Sequence, residues 1–216
     1  MLVNQYNHDF NEKASEEKRE HSIEDKRFLE IASKSVSLVD GRYTLNLPFR
    51  KDDVLMPNNR LIAMQRLQSL KRKFKRNESF HNEYTAFLYD VITQGYAEPV
   101  PQLEMEGAPG RTWYIPHHGV YHPKKNTLRL VYDCGALYQG TSLNSELLQG
   151  PDLTNSLVGV LLRFRREPVT VMADVRSMFH QVRVSKSDID FLRFIWWRDG
   201  NIEQDPTNHR MLVHLF

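Results

Sequence analysis

Between residues 58 and 95 apolar positions recur at intervals of three and four. Leu61, Met64, Leu67, Leu70 and Phe74 form one stripe, which predicts a helix with a polar opposite face. A second helix is predicted from about Glu83, with Tyr84, Phe87, Leu88, Val91 and Ile92 on one face and Gly95 as its stop. Pro99 to Arg111 reads as loop. Trp113 to Ile115 and Gly119 to Tyr121 read as strand, and the alternation from Thr127 to Tyr132 reads as the return of a hairpin turning at Pro123 to Asn126. Asp152 or Thr154 is placed to cap a third helix carrying Leu157, Val158, Leu161, Leu162 and Phe164, which ends before Pro168. Val169 to Val175 is almost wholly apolar until Asp174 and predicts a buried strand. Ser185 to Asp188 has the form of a capping box for a short helix. Leu192 to Trp197 and Met211 to Phe216 suggest two more strands, joined around Asp199 and Gly200.

Composition narrows the class. At 216 residues and 40% hydrophobic, the chain is long enough for one domain or two small ones, and no internal repeat or low-complexity segment is found. The lone Cys134 excludes an intramolecular disulfide and a Cys-cluster zinc site, and it suits a reducing intracellular compartment. Apolar stretches such as Leu157 to Leu162 fall short of the roughly 18 residues of a membrane span, and the first ten residues lack the form of a signal peptide. The chain stops within the apolar run Met211 to Phe216, which suggests a sequence cut in mid-strand.

The net charge of +2 says little, but its distribution says more. Residues 1–30 are acidic and polar and read as a solvated or disordered lead-in. From Asn58 to Asn77 there is no acid, while Arg60, Arg66, Lys71, Arg72, Lys73, Lys75 and Arg76 supply seven positive charges. Such a helix suits the phosphates of a template or duplex, contacted without reading bases, or else is a solvated face. Arg163, Arg165, Arg166 and Arg176 form a second basic set. Trp113 and Tyr114 are candidates for stacking on single-stranded template, or for the core. His117, His118, His122 and Cys134 invite a zinc reading but fit no standard ligand spacing.

Asp174 is the most informative residue. A carboxylate at the end of an apolar strand needs a partner, and a bound cation is one that also performs chemistry. Val175 to Val182 suits a tight turn whose backbone amides face an anion. With the upstream Lys and Arg, these features describe a nucleoside triphosphate site. The bland alternative is an aspartate that caps a turn or pairs with an arginine.

The segments Glu24 to Leu29, Asp40 to Tyr43 with Leu47 to Phe49, Leu55 to Arg60, Ile115 to Val120, Arg129 to Asp133, Ser142 to Asn144 with Gly150-Pro151, and Ala173-Asp174 with Met178-Phe179 occur in order. In these the chain resembles the reverse transcriptase region of BEL/Pao-type LTR retrotransposon polyproteins, from about Ser22 onward. The resemblance implies an α+β fold with fingers over about 58–168, preceded by an extended connection over 31–57 and followed by the start of a palm over 169–216. It implies that Asp174 is the first catalytic aspartate for two Mg2+ ions, with the Val175 carbonyl helping to hold one. The amides of Ser177 and Met178 would meet the dNTP triphosphate, and Phe179 would exclude a ribose 2′-hydroxyl. Arg129 would grip the triphosphate with either Lys124 or Lys125. Asp133 would then orient Arg129. The implied partners are a primer on an RNA or DNA template, dNTPs and the remainder of a polyprotein, and no membrane. The implied reaction is two-metal phosphoryl transfer. No Asp-Asp pair follows Asp174, and the only one is Asp52-Asp53. The resemblance therefore implies a fragment that is inactive by itself. The alternative is a remnant that binds nucleic acid and catalyses nothing.

Overall fold

The computed structural model describes residues 21–166 and 168–215. Helix α1, Ile23–Ser35, lies within and beyond the expected lead-in. Ser22 and Asp25 form a reciprocal capping box at its start, and Glu24 and Asp25 complement the helix dipole. A tight hairpin follows, β1 (Ser37–Val39) and β2 (Arg42–Leu45), turning through Asp40 and Gly41 at φ 50° and 72°.

Helix α2, Arg60–Arg76, matches the apolar stripe, with Leu67, Leu70 and Phe74 buried beside Ala63, although Leu61 stays exposed. Helix α3 spans Glu78–Thr93 and begins five residues before the expected start, because the Asn77 side chain accepts from the Phe80 N–H and caps it. The pair packs against β7 (Arg193–Trp196), which forms a sheet of order β3-β8-β7 with β3 (Ala97–Pro99) and β8 (Thr207–Met211). The expected hairpin is β4 (His117–Tyr121) and β5 (Leu128–Tyr132). A third sheet, β1-β2-β6, pairs β2 in parallel with β6 (Val182–Val184). Val184 N–H to Leu212 O and His214 N–H to Val182 O stitch that sheet to the chain just beyond β8.

One core, running from Leu47 to Val213, joins these pieces. Its aromatic centre is Phe74, Tyr84, Trp196 and Trp197, with Tyr84 stacked on Trp196 at 5.4 Å. Asn59 is fully buried and clamps the backbone of Tyr114, accepting its N–H and donating to its carbonyl at 2.7 Å each. The guanidinium of Arg193, also fully buried, binds Asp190 and the carbonyls of Met105 and Glu104. Arg210 joins the same network through Glu98, Glu104 and Asp190.

Several expectations are corrected: Trp113 to Ile115 carries only an isolated bridge at Tyr114, and of the strand expected from Met211 onward only Met211, the last residue of β8, lies in a strand. Ser185 does not build a capping box: its hydroxyl meets Ser187, and the buried Asp188 accepts from the Leu47 N–H at 2.9 Å and from Arg111 at 3.2 Å. Helix α5 (Leu157–Phe164), which follows the short α4 (Leu143–Glu146), has no side-chain cap, because Asp152 is engaged by Thr154 and the helix starts after Ser156. Val169 to Val175 forms no strand and is not buried; Val171 and Met172 are each 85% exposed. A strand requires a lateral partner for its N–H and C=O groups, and none of the described strands runs beside this segment. With α5, it leaves an exposed apolar surface that includes Leu157, Leu161, Val169 and Val171. No helix among the described residues is long and apolar enough to cross a membrane.

Candidate functional site

Asp174 lies in this exposed segment and makes no hydrogen bond or ion pair among the described residues. The chain turns sharply just after it. Ser177 adopts φ 50° and ψ 49°, a left-handed conformation uncommon outside glycine, asparagine and aspartate. Its carbonyl accepts the His180 N–H, and a 3-10 turn, Met178–Gln181, leads into β6. The Gln181 amide braces the turn by donating to the Arg176 carbonyl at 2.9 Å. The backbone N–H groups of Ser177 and Met178 make no hydrogen bond among the described residues. Met178 and Phe179 are exposed, and Val175 is exposed with them.

The turn and the β4–β5 hairpin border one cavity of about 530 Å3. His180 lines it from the turn, and Leu130, Tyr132 and Asp133 line it from β5 and its end. The Tyr132 hydroxyl is buried and has no hydrogen-bond partner, and burial pushes its pKa far above the usual phenol range. The Tyr132 ring packs on His117 and Phe194, so this hydroxyl is a buried polar group of the core rather than an open donor of the cavity. His180 packs on Tyr96 at 4.6 Å, and burial lowers its pKa.

Arg129 stands exposed on β5 opposite Val120 and has no ion-pair partner among the described residues. Asp133 makes no ion pair with it, so the orienting role expected for Asp133 is not seen. Lys124 and Lys125 occupy the turn, where both backbone N–H groups donate to His122 Nδ1 at 3.2 Å. No hydrogen bond or ion pair among the described residues joins these basic groups to Asp174.

The basic helix is not uniform. Lys71 and Lys75 reach Glu203 at 3.9 and 3.1 Å, and their ammonium groups, Lys75 first, hold that carboxyl below the usual range. Arg60, Arg66, Arg72, Lys73 and Arg76 have no carboxylate partner among the described residues. The Glu203 contact spans more than a hundred residues of sequence, so reading α2 alone gave no sign of it.

Two sets of aromatic and imidazole groups belong to the core. Trp113 and Tyr114 are buried, and Asn208 donates to the Tyr114 hydroxyl at 3.3 Å, so neither ring can stack on a template. His117 is buried with both ring nitrogens engaged, Nε2 with the Ile195 carbonyl at 2.9 Å and Nδ1 with the Tyr84 hydroxyl at 2.5 Å. Burial pushes the Cys134 thiol up to about 12, which makes it a poor thiolate.

Two magnesium ions need several convergent carboxylates. Among the described residues no group of three or more His, Cys, Asp or Glu could hold a metal ion. Asp174 and the Val175 carbonyl alone do not make a two-metal site. In comparison with known proteins, the chain matches no family model and no curated protein sequence.

Proposed function

We propose that the chain takes part in template-directed DNA synthesis, as the portion of a reverse transcriptase that carries the fingers hairpin and the first palm aspartate. The supporting observation is the 530 Å3 cavity that the hairpin and the turn after Asp174 share. Of its lining residues, Leu130 to Asp133 and Asn144 belong to segments on which the resemblance rests, and His180 directly follows Met178-Phe179. The unbonded amides of Ser177 and Met178 suit an anion, and Arg129 on β5 suits a triphosphate. In this reading catalysis needs further carboxylates beside Asp174, and residues 1–216 alone incorporate no dNTP.

Binding of labelled dATP and of a primed RNA template by the purified chain tests this. Both are expected to bind at low salt, Arg129→Ala is expected to weaken dATP about tenfold, and incorporation is expected to stay at background. Absence of dATP binding overturns the polymerase reading, and measurable incorporation overturns the inactivity.

A second reading, a nucleic-acid binder without catalysis, is favoured by the exposed Asp174, which belongs to no group of three or more metal-ligating side chains among the described residues. It predicts primer–template binding without dATP binding.

A further inference from the structure

The geometry points to a phosphate-binding cleft between α2 and the β4–β5 hairpin, whose ligand is the backbone of a nucleic-acid strand. Resting on the nucleic-acid reading above, it identifies which basic residues carry the contact and which do not. Residues 66, 69 and 73 are three and four apart, so they share one flank of α2, while Lys71 and Lys75 fall on the opposite flank against Glu203. Arg66, Ser69 and Lys73 form one wall of a cleft of about 220 Å3, and His118, Gly119 and Asp133 form the other.

The walls are held close by specific packing. A Cβ at Gly119 would lie 2.8 Å from Leu128 Cδ1 and 2.9 Å from the Phe80 ring, so only glycine lets β4 settle against α3 at this point. Lys73 Nζ sits 4.0 Å from the centroid of that same Phe80 ring, a cation–π contact that holds the ammonium near the hairpin without neutralising it. Ser69 is already satisfied: its hydroxyl donates to the Gln65 carbonyl and accepts from Arg72 Nη2 at 3.0 Å. It therefore serves to tether Arg72 beside the cleft.

Arg66 and Lys73, with Arg72 next to them, outnumber the single carboxylate of Asp133. The local charge therefore favours an anion, while Asp133 weakens its binding. The α2 wall offers cationic donors, Arg66 and Lys73, which suit a backbone phosphate.

The test is fluorescence anisotropy with a labelled single-stranded RNA of about 20 nucleotides, from roughly 50 to 200 mM NaCl. Arg66→Gln with Lys73→Gln is expected to raise Kd about tenfold at the lowest salt. The same double variant should flatten the slope of log K against log salt by about 1.4, the loss of two phosphate contacts. Lys71→Gln with Lys75→Gln should change Kd less than about twofold, because Glu203 already holds both ammonium groups. Asp133→Asn should tighten binding. Wild-type binding that survives Arg66→Gln with Lys73→Gln overturns the cleft and leaves the nucleic-acid reading standing. No binding by the wild type at the lowest salt overturns both. Displacement of the RNA by micromolar dATP assigns the cleft to a free nucleotide and overturns the backbone assignment. Because these side chains are solvent-facing, an unchanged melting temperature separates lost binding from lost fold.

Discussion

Lowering the pH should destabilise this protein through His117 in particular. The ring is buried, and the Ile195 carbonyl can only accept, so Nε2 carries the proton and Nδ1 accepts from the Tyr84 hydroxyl. The neutral ring is thus fully satisfied, and charging it would place an imidazolium among Trp196, Phe194 and Tyr132. Burial lowers its pKa from 6.5 to about 4. A folded pKa below the unfolded one means that the unfolded chain binds the proton first. The stabilising contribution is complete above about pH 6.5 and is lost as the pH falls towards 4. At 1.36 kcal/mol per pH unit, the loss between pH 7 and pH 4 is about 3 kcal/mol from this one group. Urea unfolding of the wild type and of His117→Gln, measured at steps across that range, isolates it. The variant should be less stable at pH 7 and should lose about 3 kcal/mol less on acidification. Burial also lowers the pKa values of His209 and His214, and both are present in wild type and variant alike, so their contributions cancel in the comparison. Parallel pH profiles for the two proteins would refute the reasoning.

Two further substitutions probe the buried polar framework. Asn59→Ala removes both hydrogen bonds to the Tyr114 backbone and strands a buried N–H and C=O, so a loss of about 2–4 kcal/mol is expected in urea unfolding. Arg193→Met should cost about 3–5 kcal/mol, because Asp190 and the carbonyls of Glu104 and Met105 lose their shared donor; the thermal midpoint should fall accordingly, and an unchanged midpoint would count against the network.

Legibility of the sequence varied with the range of the interactions involved. Helix α2 and the hairpin could be read because their determinants are local: a three-and-four apolar spacing, an alternating strand and a polar turn. A strand is expected over Met211 to Phe216, whereas β8 is Thr207–Met211 and ends where the expected one begins, because Thr207, Asn208, His209 and Arg210 are polar. They are strand because distant partners satisfy them: Glu98 and Glu104 for Arg210, and Phe194 stacked on His209. The segment before Asp174 failed in the opposite sense. Its apolar composition suggested burial, but burial depends on neighbours that a one-dimensional pattern does not contain. At the site, the individual basic residues were visible, whereas the pairing of Lys71 and Lys75 with Glu203, the left-handed Ser177 and the approach of His118 and Asp133 to α2 were not.

The parallel pairing of β2 with β6 has a consequence for how the molecule is made. Thr44 lies opposite Arg183, and the Leu47 N–H meets an Asp188 oxygen across 141 residues of chain. Closing a loop of that length costs roughly 4 kcal/mol by the (3/2)RT ln n rule before any contact returns it. During synthesis β1 and β2 therefore wait, lacking the β6 partner, while everything between them and Val184 is translated. Helices α2 and α3, whose contacts are near in sequence, can form first and give the later strands a surface to dock on. The sheet nearest the start of the chain is thus among the last parts of the fold to close.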